Sequence, residues 1–143
     1  LIERWSDRPA LATKKVTKLA VEALEDHDFV LVHYVAPDAV AHTGKEAETV
    51  AAIEAVDAAL GQLREAVEAR GGHLLVTSSH GNVEEMRDDH GDLSPGHTAA
   101  DVPLYSTFGP LAPRGHLRDV APTVLSLLGL EVPEAMKGES LEQ

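Results

Sequence analysis

The 143 residues are expected to fold as an α/β unit, a layered and largely parallel sheet with helices on both faces. Three observations predict it. Segments of helical and of strand-like pattern alternate along the chain. The first strand-like run, Phe29-Val30-Leu31-Val32, is apolar at every position, as in a strand covered on both faces. The polar, histidine-bearing loops follow the ends of the strand-like runs, where ligands bind in open α/β sheets.

Each element has its own signal. Leu1 to Pro9 reads as irregular, with Trp5 as an anchor that packs the terminus. Thr13 to Glu25 has helical spacing at Val16, Leu19, Ala20, Ala23 and Leu24. Asp28 to Val35 is a strand by composition. Ala36 to Gly44, with Pro37, Asp38 and His42, reads as a loop. Lys45 to Arg70 is the longest periodic segment, with Val50, Ile53, Val56, Leu60, Leu63 and Val67 on one stripe, and Gly71-Gly72 closes it. His73 to Thr77 is the next strand. Ser78 to Asp101 is a polar loop long enough to suggest function. Val102 to Thr107 is a short strand whose Pro103 suits an edge or a strand start. After the Pro/Gly turn of Gly109 to Gly115, Leu117 to Leu128 reads as a helix with Pro122 in its first turn, and Gly129 ends it. The rest reads as a polar tail. No repeat, low-complexity segment or linker divides the chain, so residues 1–143 are taken as one portion of a domain.

Composition narrows the function. Hydrophobic residues make up 43% and aromatics 3%, so Ala, Val and Leu must fill the core. A formal net charge of -12 argues against nucleic acid and anionic membrane surfaces as partners. No apolar run approaches the roughly 18 residues of a membrane span. Glu3, Arg4 and Asp7 interrupt any signal peptide, and the lack of cysteine makes the cytoplasm the default compartment. The start at Leu1 rather than methionine suggests a piece of a longer protein. Without cysteine, disulfides and thiolate metal sites are excluded.

Eight histidines are the compositional oddity. Asp38 and His42, four residues apart, share a face if their segment is helical or tightly turned, and a carboxylate with an imidazole suits zinc or manganese. A lone pair at that spacing arises often by chance. His80 at a strand end and His97 before Val102-Pro103 add to it, and all of them together, each in the right element, make a stronger signal. Other polar residues have simpler roles. Glu54, Asp57 and Glu65 suit a solvated helix face, His27 and His73 the ends of elements, and Arg114 and Arg118 the solvent. Asp88, Asp89 and His90 suit a polar loop, with a replacement ligand as their alternative use.

Several motifs, in order, carry a family resemblance. Asp38-Ala39-Val40-Ala41-His42-Thr43-Gly44 is similar to D-M-V-G-H-T-G, and Thr77 to Asn82 to T-A-D-H-G-N. His97-Thr98 before Val102-Pro103 is similar to H-T-x-x-P-V-P. Leu117 to Leu125 resembles L-x-D-I-A-P-T-I-L, and Met136 to Leu141 resembles M-x-G-x-S-L. Pro9, Val16 and Thr17 keep part of a further motif, and Ile53 to Asp57 resembles the helix after the first loop. Together these resemble the C-terminal part of cofactor-independent phosphoglycerate mutase, in the alkaline phosphatase superfamily. The resemblance implies an alkaline-phosphatase-like fold and exchange of 3-phosphoglycerate and 2-phosphoglycerate, in glycolysis, through a phosphoserine. It implies two divalent metals, commonly manganese, while the ligand types themselves also suit zinc. Carried over by position, Asp38, His42 and His97 hold one metal, and His80 with residue 79 holds the other. The nucleophilic serine, another aspartate ligand and most substrate contacts belong to the N-terminal part of that fold, so this segment alone is expected to be inactive. Two departures stand out. Ser79 replaces an aspartate ligand, which weakens the second site, and Ala36 stands where asparagine is frequent. The alternatives are a non-catalytic relative acting as an interaction or regulatory module, another superfamily member such as a phosphopentomutase or phosphodiesterase, and an α/β domain with incidental histidines.

Overall fold

The computed structural model describes residues 9–94 and 96–143, with side chains from residue 12 onward. Trp5 and the expected irregular start lie outside the described residues, as does Pro95. The elements are α1 (Pro9–Ala23), α2 (Ala36–Ala41), α3 (Glu46–Glu68), β1 (Leu75–Thr77), β2 (Leu104–Ser106) and α4 (Val120–Leu127). Single 3-10 turns lie at Val83–Glu85 and Leu117–Asp119.

The three N-terminal helices pack together, with α3 against both α1 and α2. The buried faces differ from the apolar stripes read in the sequence. On α1 the buried residues are Thr13, Thr17 and Ala20, while Leu19 is exposed. On α3 they are Thr49, Ala52, Ala59, Leu63 and Val67, while Val50 and Ile53 lie outward. Both sets keep helical spacing, but small side chains dominate, and small side chains let helix axes approach closely. The buried hydroxyls are satisfied locally. Thr17 donates to the Thr13 carbonyl at 2.7 Å and shares a 2.8 Å hydroxyl contact with Tyr34. Burial raises the Tyr34 phenol above its ordinary pKa, and the Thr17 contact offsets part of the rise.

The segment expected as a loop at Ala36 to Gly44 begins as α2. Pro37 stands in its first turn, where the fixed φ suits a helix, and Asp38 faces the positive end of the dipole. Val40 and Ala41 are buried. Gly44, at φ 70°, ends the turn, and a Cβ there would lie 2.5 Å from Leu93 Cδ1, so the long loop after β1 rests on this corner.

The sheet is smaller than expected. β1 and β2 pair antiparallel, with Leu75 opposite Ser106, Val76 opposite Tyr105 and Thr77 opposite Leu104. The expected strand at Asp28 to Val35 has no ladder. Its residues alternate, with Val30, Val32 and Tyr34 half-buried, and Phe29, Leu31, His33 and Val35 exposed, Leu31 to 81%. A run apolar on both faces suits a strand flanked on each side, and among the described residues no strand flanks this one. The parallel, two-sided sheet is thus not part of what the described residues form. An open groove of about 370 Å³ separates α3 from the sheet, lined by Asp57, Leu60, Arg64, Leu74, Val76 and Tyr105.

The segment expected as a polar tail is docked. Leu141 is buried, its N–H donates to the Thr123 hydroxyl at 2.9 Å, and its carbonyl accepts from the Ala112 N–H at 2.8 Å. Asp119, also buried, accepts from the His116 N–H at 2.7 Å and the Glu139 N–H at 3.1 Å. Those bonds, the His116 bond first, hold the Asp119 carboxyl below its ordinary pKa. No helix among the described residues is long and apolar enough to cross a membrane.

Candidate metal centre

Three elements meet at one point. Because α2 is helical, Asp38 and His42 stand one turn apart on the same face. The turn after β1 brings His80, and the loop before β2 brings His97. His42 Nε2 lies 3.2 Å and His97 Nε2 lies 3.3 Å from the same Asp38 Oδ1. One ligand atom from each of Asp38, His42 and His97 falls within 4.8 Å of the others, the one such acidic and histidine group among the described residues. Their side chains are about a third to a half exposed, at 33%, 34% and 48%, so the centre opens to solvent. One carboxylate oxygen and two imidazole nitrogens suit a divalent metal with open positions left for solvent or substrate.

His80 stands beside this group rather than in it. Its ring stacks on that of His97, with centroids 3.5 Å apart and planes at 12°. The His42 and His97 centroids are 5.2 Å apart. His80 Nδ1 contacts the Gly81 carbonyl at 3.2 Å. Ser79 is exposed beside it. Asp88, Asp89 and His90 are not part of the converging ligand group. All three are exposed, and Asp88 Oδ1 accepts the His90 and Asp92 N–H groups, which closes the loop on itself. Arg87 ties that loop to α3 through Glu46 at 2.8 Å. Arg114, Arg118, Glu54, Asp57 and Glu65 are exposed, as expected. His27 Nδ1 meets the Ala23 carbonyl at 3.0 Å and so finishes α1.

The sequence reading assigned no role to the residues that frame the ligands. Asn82 is 5% exposed, and its Nδ2 donates to Asp38 Oδ1 at 2.6 Å. Glu84 Oε2 accepts the Asn82 N–H at 2.8 Å, and Glu84 Oε1 accepts the Thr98 hydroxyl. That hydroxyl, more than any other contact, holds the Glu84 carboxyl below its ordinary pKa. The available signal was the glycine between His80 and Asn82. A Cβ at Gly81 would collide with both the Glu84 carboxylate and the Thr98 hydroxyl.

A family model described as the metalloenzyme superfamily matches residues 3–132. The chain belongs to that superfamily. Within it, the chain is similar to proteins named 2,3-bisphosphoglycerate-independent phosphoglycerate mutase. It is 37% identical over 144 residues to the one from Moorella thermoacetica, across 98% of this chain and 28% of that protein. It is 42% identical over 138 residues to the one from Desulforudis audaxviator, across 94% of this chain and 27% of that protein. The structure of Leishmania mexicana phosphoglycerate mutase at low cobalt concentration superposes with a TM-score of 0.77 at 30% identity, covering 97% of this chain and 29% of that one. The chain thus spans less than a third of the length of these superfamily relatives.

Proposed function

We propose that this chain supplies the principal metal centre of a cofactor-independent phosphoglycerate mutase, with Asp38, His42 and His97 as the ligands of one metal. The convergence of those three donors within 4.8 Å carries the reading. In it, residues 1–143 are the C-terminal portion of an alkaline-phosphatase-like metalloenzyme domain. β1 and the Phe29 to Val35 run then belong to a layered, largely parallel sheet with helices on both faces. Manganese is the first candidate metal and zinc the second. A divalent ion bound there would supply positive charge to the phosphoryl oxygens of 3-phosphoglycerate and 2-phosphoglycerate. The chain's own residues set the geometry. Asp38 would lower the net charge of a bound ion, the imidazoles of His42 and His97 would add no negative charge to it, and the exposed side of the centre would admit the substrate. The compartment is the cytoplasm, where glycolysis runs.

His80 would serve a second metal with residue 79, where Ser79 offers a neutral hydroxyl instead of a carboxylate. That substitution favours a second reading, a relative that has lost catalysis and acts as an interaction or regulatory module. Titrating the metal-free chain with manganese and then zinc, with His42→Ala as control, tests the main reading. One equivalent, absent in the control, is expected. No binding would move the second reading ahead. The chain alone is expected to give no phosphoglycerate turnover above a metal-only blank.

A further inference from the structure

We infer that Glu84 is a positioning residue of this centre: its carboxylate buckles the His80 turn to the His97 loop and, through Asn82, sets the Asp38 carboxylate. The inference rests on the metal-binding reading above and assigns the frame that holds its ligands in place.

The contacts form one continuous chain. Thr98 follows His97 directly, and Asn82 stands two residues after His80. Glu84 holds both, taking the Asn82 N–H on one oxygen and the Thr98 hydroxyl on the other. The two backbones also meet directly, where the Thr98 N–H donates to the Gly81 carbonyl at 2.9 Å. The absence of a side chain at Gly81 lets the Glu84 carboxylate and the Thr98 hydroxyl close over that bridge. From Asn82 the chain continues into α2, because the amide nitrogen donates to Asp38 Oδ1. The same nitrogen is 3.5 Å from His42 Nε2. Asn82 Oδ1 is buried with no hydrogen-bond partner among the described residues. Turning the amide over would set that oxygen against the Asp38 carboxylate, so Asp38 fixes the amide and the orphaned carbonyl is the cost.

The energetic logic is preorganisation. A hydroxyl that donates to a charged carboxylate makes a stronger bond than a neutral pair. Holding two loops before the metal arrives removes an ordering cost from binding. Partners that orient metal ligands typically change affinity by about 10–100-fold when removed.

Four variants of the chain test this, with Co²⁺ alone as the probe. Glu84→Leu and Thr98→Val break the buckle. Glu84→Gln keeps an acceptor for the Asn82 N–H and a donor for the Thr98 oxygen, and Thr98→Ser keeps the hydroxyl. The first pair is expected to bind Co²⁺ about 10–100-fold more weakly, with only a small drop in the melting temperature of the metal-free chain, and the second pair to regain most of the affinity. In metal-free chain, proton NMR contacts between the His80 and His97 rings should vanish in the first pair and persist in the second. Wild-type affinity and intact ring contacts in both breaking variants would overturn the inference. A loss of affinity that only follows a loss of melting temperature would also overturn it, because Glu84 would then be a general brace. If the wild-type chain binds no Co²⁺, the metal reading fails, and the ring contacts alone decide whether Glu84 positions these loops.

Discussion

Thr123→Val isolates what docks the C-terminal tail. Thr123 is fully buried in α4, and its hydroxyl does two things. It donates to the Asp119 carbonyl at 2.7 Å and accepts the Leu141 N–H at 2.9 Å. Valine fills the same space, so no cavity opens and the loss is confined to hydrogen bonding. The Leu141 N–H, left buried without an acceptor, costs about 1–3 kcal/mol, and the lost bond to the Asp119 carbonyl about 0.5–1.5 kcal/mol. The sum of about 1.5–4.5 kcal/mol is large against a typical total stability of about 5–15 kcal/mol. At about 2.1 cal/mol/K per residue, the unfolding entropy is roughly 0.3 kcal/mol/K, so the melting temperature should fall by about 5–15 °C. Urea and thermal unfolding give the free energy, and amide exchange at Leu141 reports tail docking directly. A loss below about 0.5 kcal/mol with the Leu141 amide still protected would refute the assigned role.

The remaining predictions concern other single contacts. Asp119 has a folded pKa below its ordinary value, so its contribution is fully present above the unfolded value near about 3.9 and is lost as pH falls through the folded one. Asp119→Asn should therefore flatten the acid limb of a plot of urea midpoint against pH, and an unchanged limb would contradict this. Gly138→Ala places a Cβ against the backbone carbonyl of Arg118 and 2.9 Å from Asp119 Oδ1, so unfolding experiments should show a loss of about 1–3 kcal/mol. Tyr34→Phe removes the contact to Thr17, which keeps its bond to the Thr13 carbonyl, so the loss should sit near the low end of about 0.5–1.5 kcal/mol by the same measurement. Ser79→Asp, made with the rest of a longer relative supplied, should strengthen binding of a second metal, and an unchanged metal count by elemental analysis would rule it out.

Local pattern was enough for much of the fold. The spacing of apolar residues placed α3 and α4 nearly at their observed bounds, and β1 and β2 lie inside the predicted strands. Glycines after α3 and α4 marked their ends, with Gly71 at φ 67° and Gly129 at φ 68°. Residue type and placement made Asp38, His42, His80 and His97 legible as candidates, and the family resemblance grouped Asp38, His42 and His97.

What failed to show in the sequence depends on partners distant along the chain. Periodicity could not say that Thr49 and Ala52 turn inward while Val50 and Ile53 turn out, because the packing partner chooses the face. Composition marked Asp28 to Val35 as strand, but a ladder needs a neighbour, and none lies beside it among the described residues. The tail looked polar, yet Leu141 finds an acceptor on Thr123, 18 residues away. The frame of the centre was hidden most completely. Asn82 reaches Asp38 across 44 residues, and Glu84 joins Thr98 across 14. The sequence by itself determined which side chains were available to hold a metal. Only the tertiary structure decided that an amide and a carboxylate would hold those side chains in register, because a hydrogen bond is set by distance in space and leaves no period in the chain.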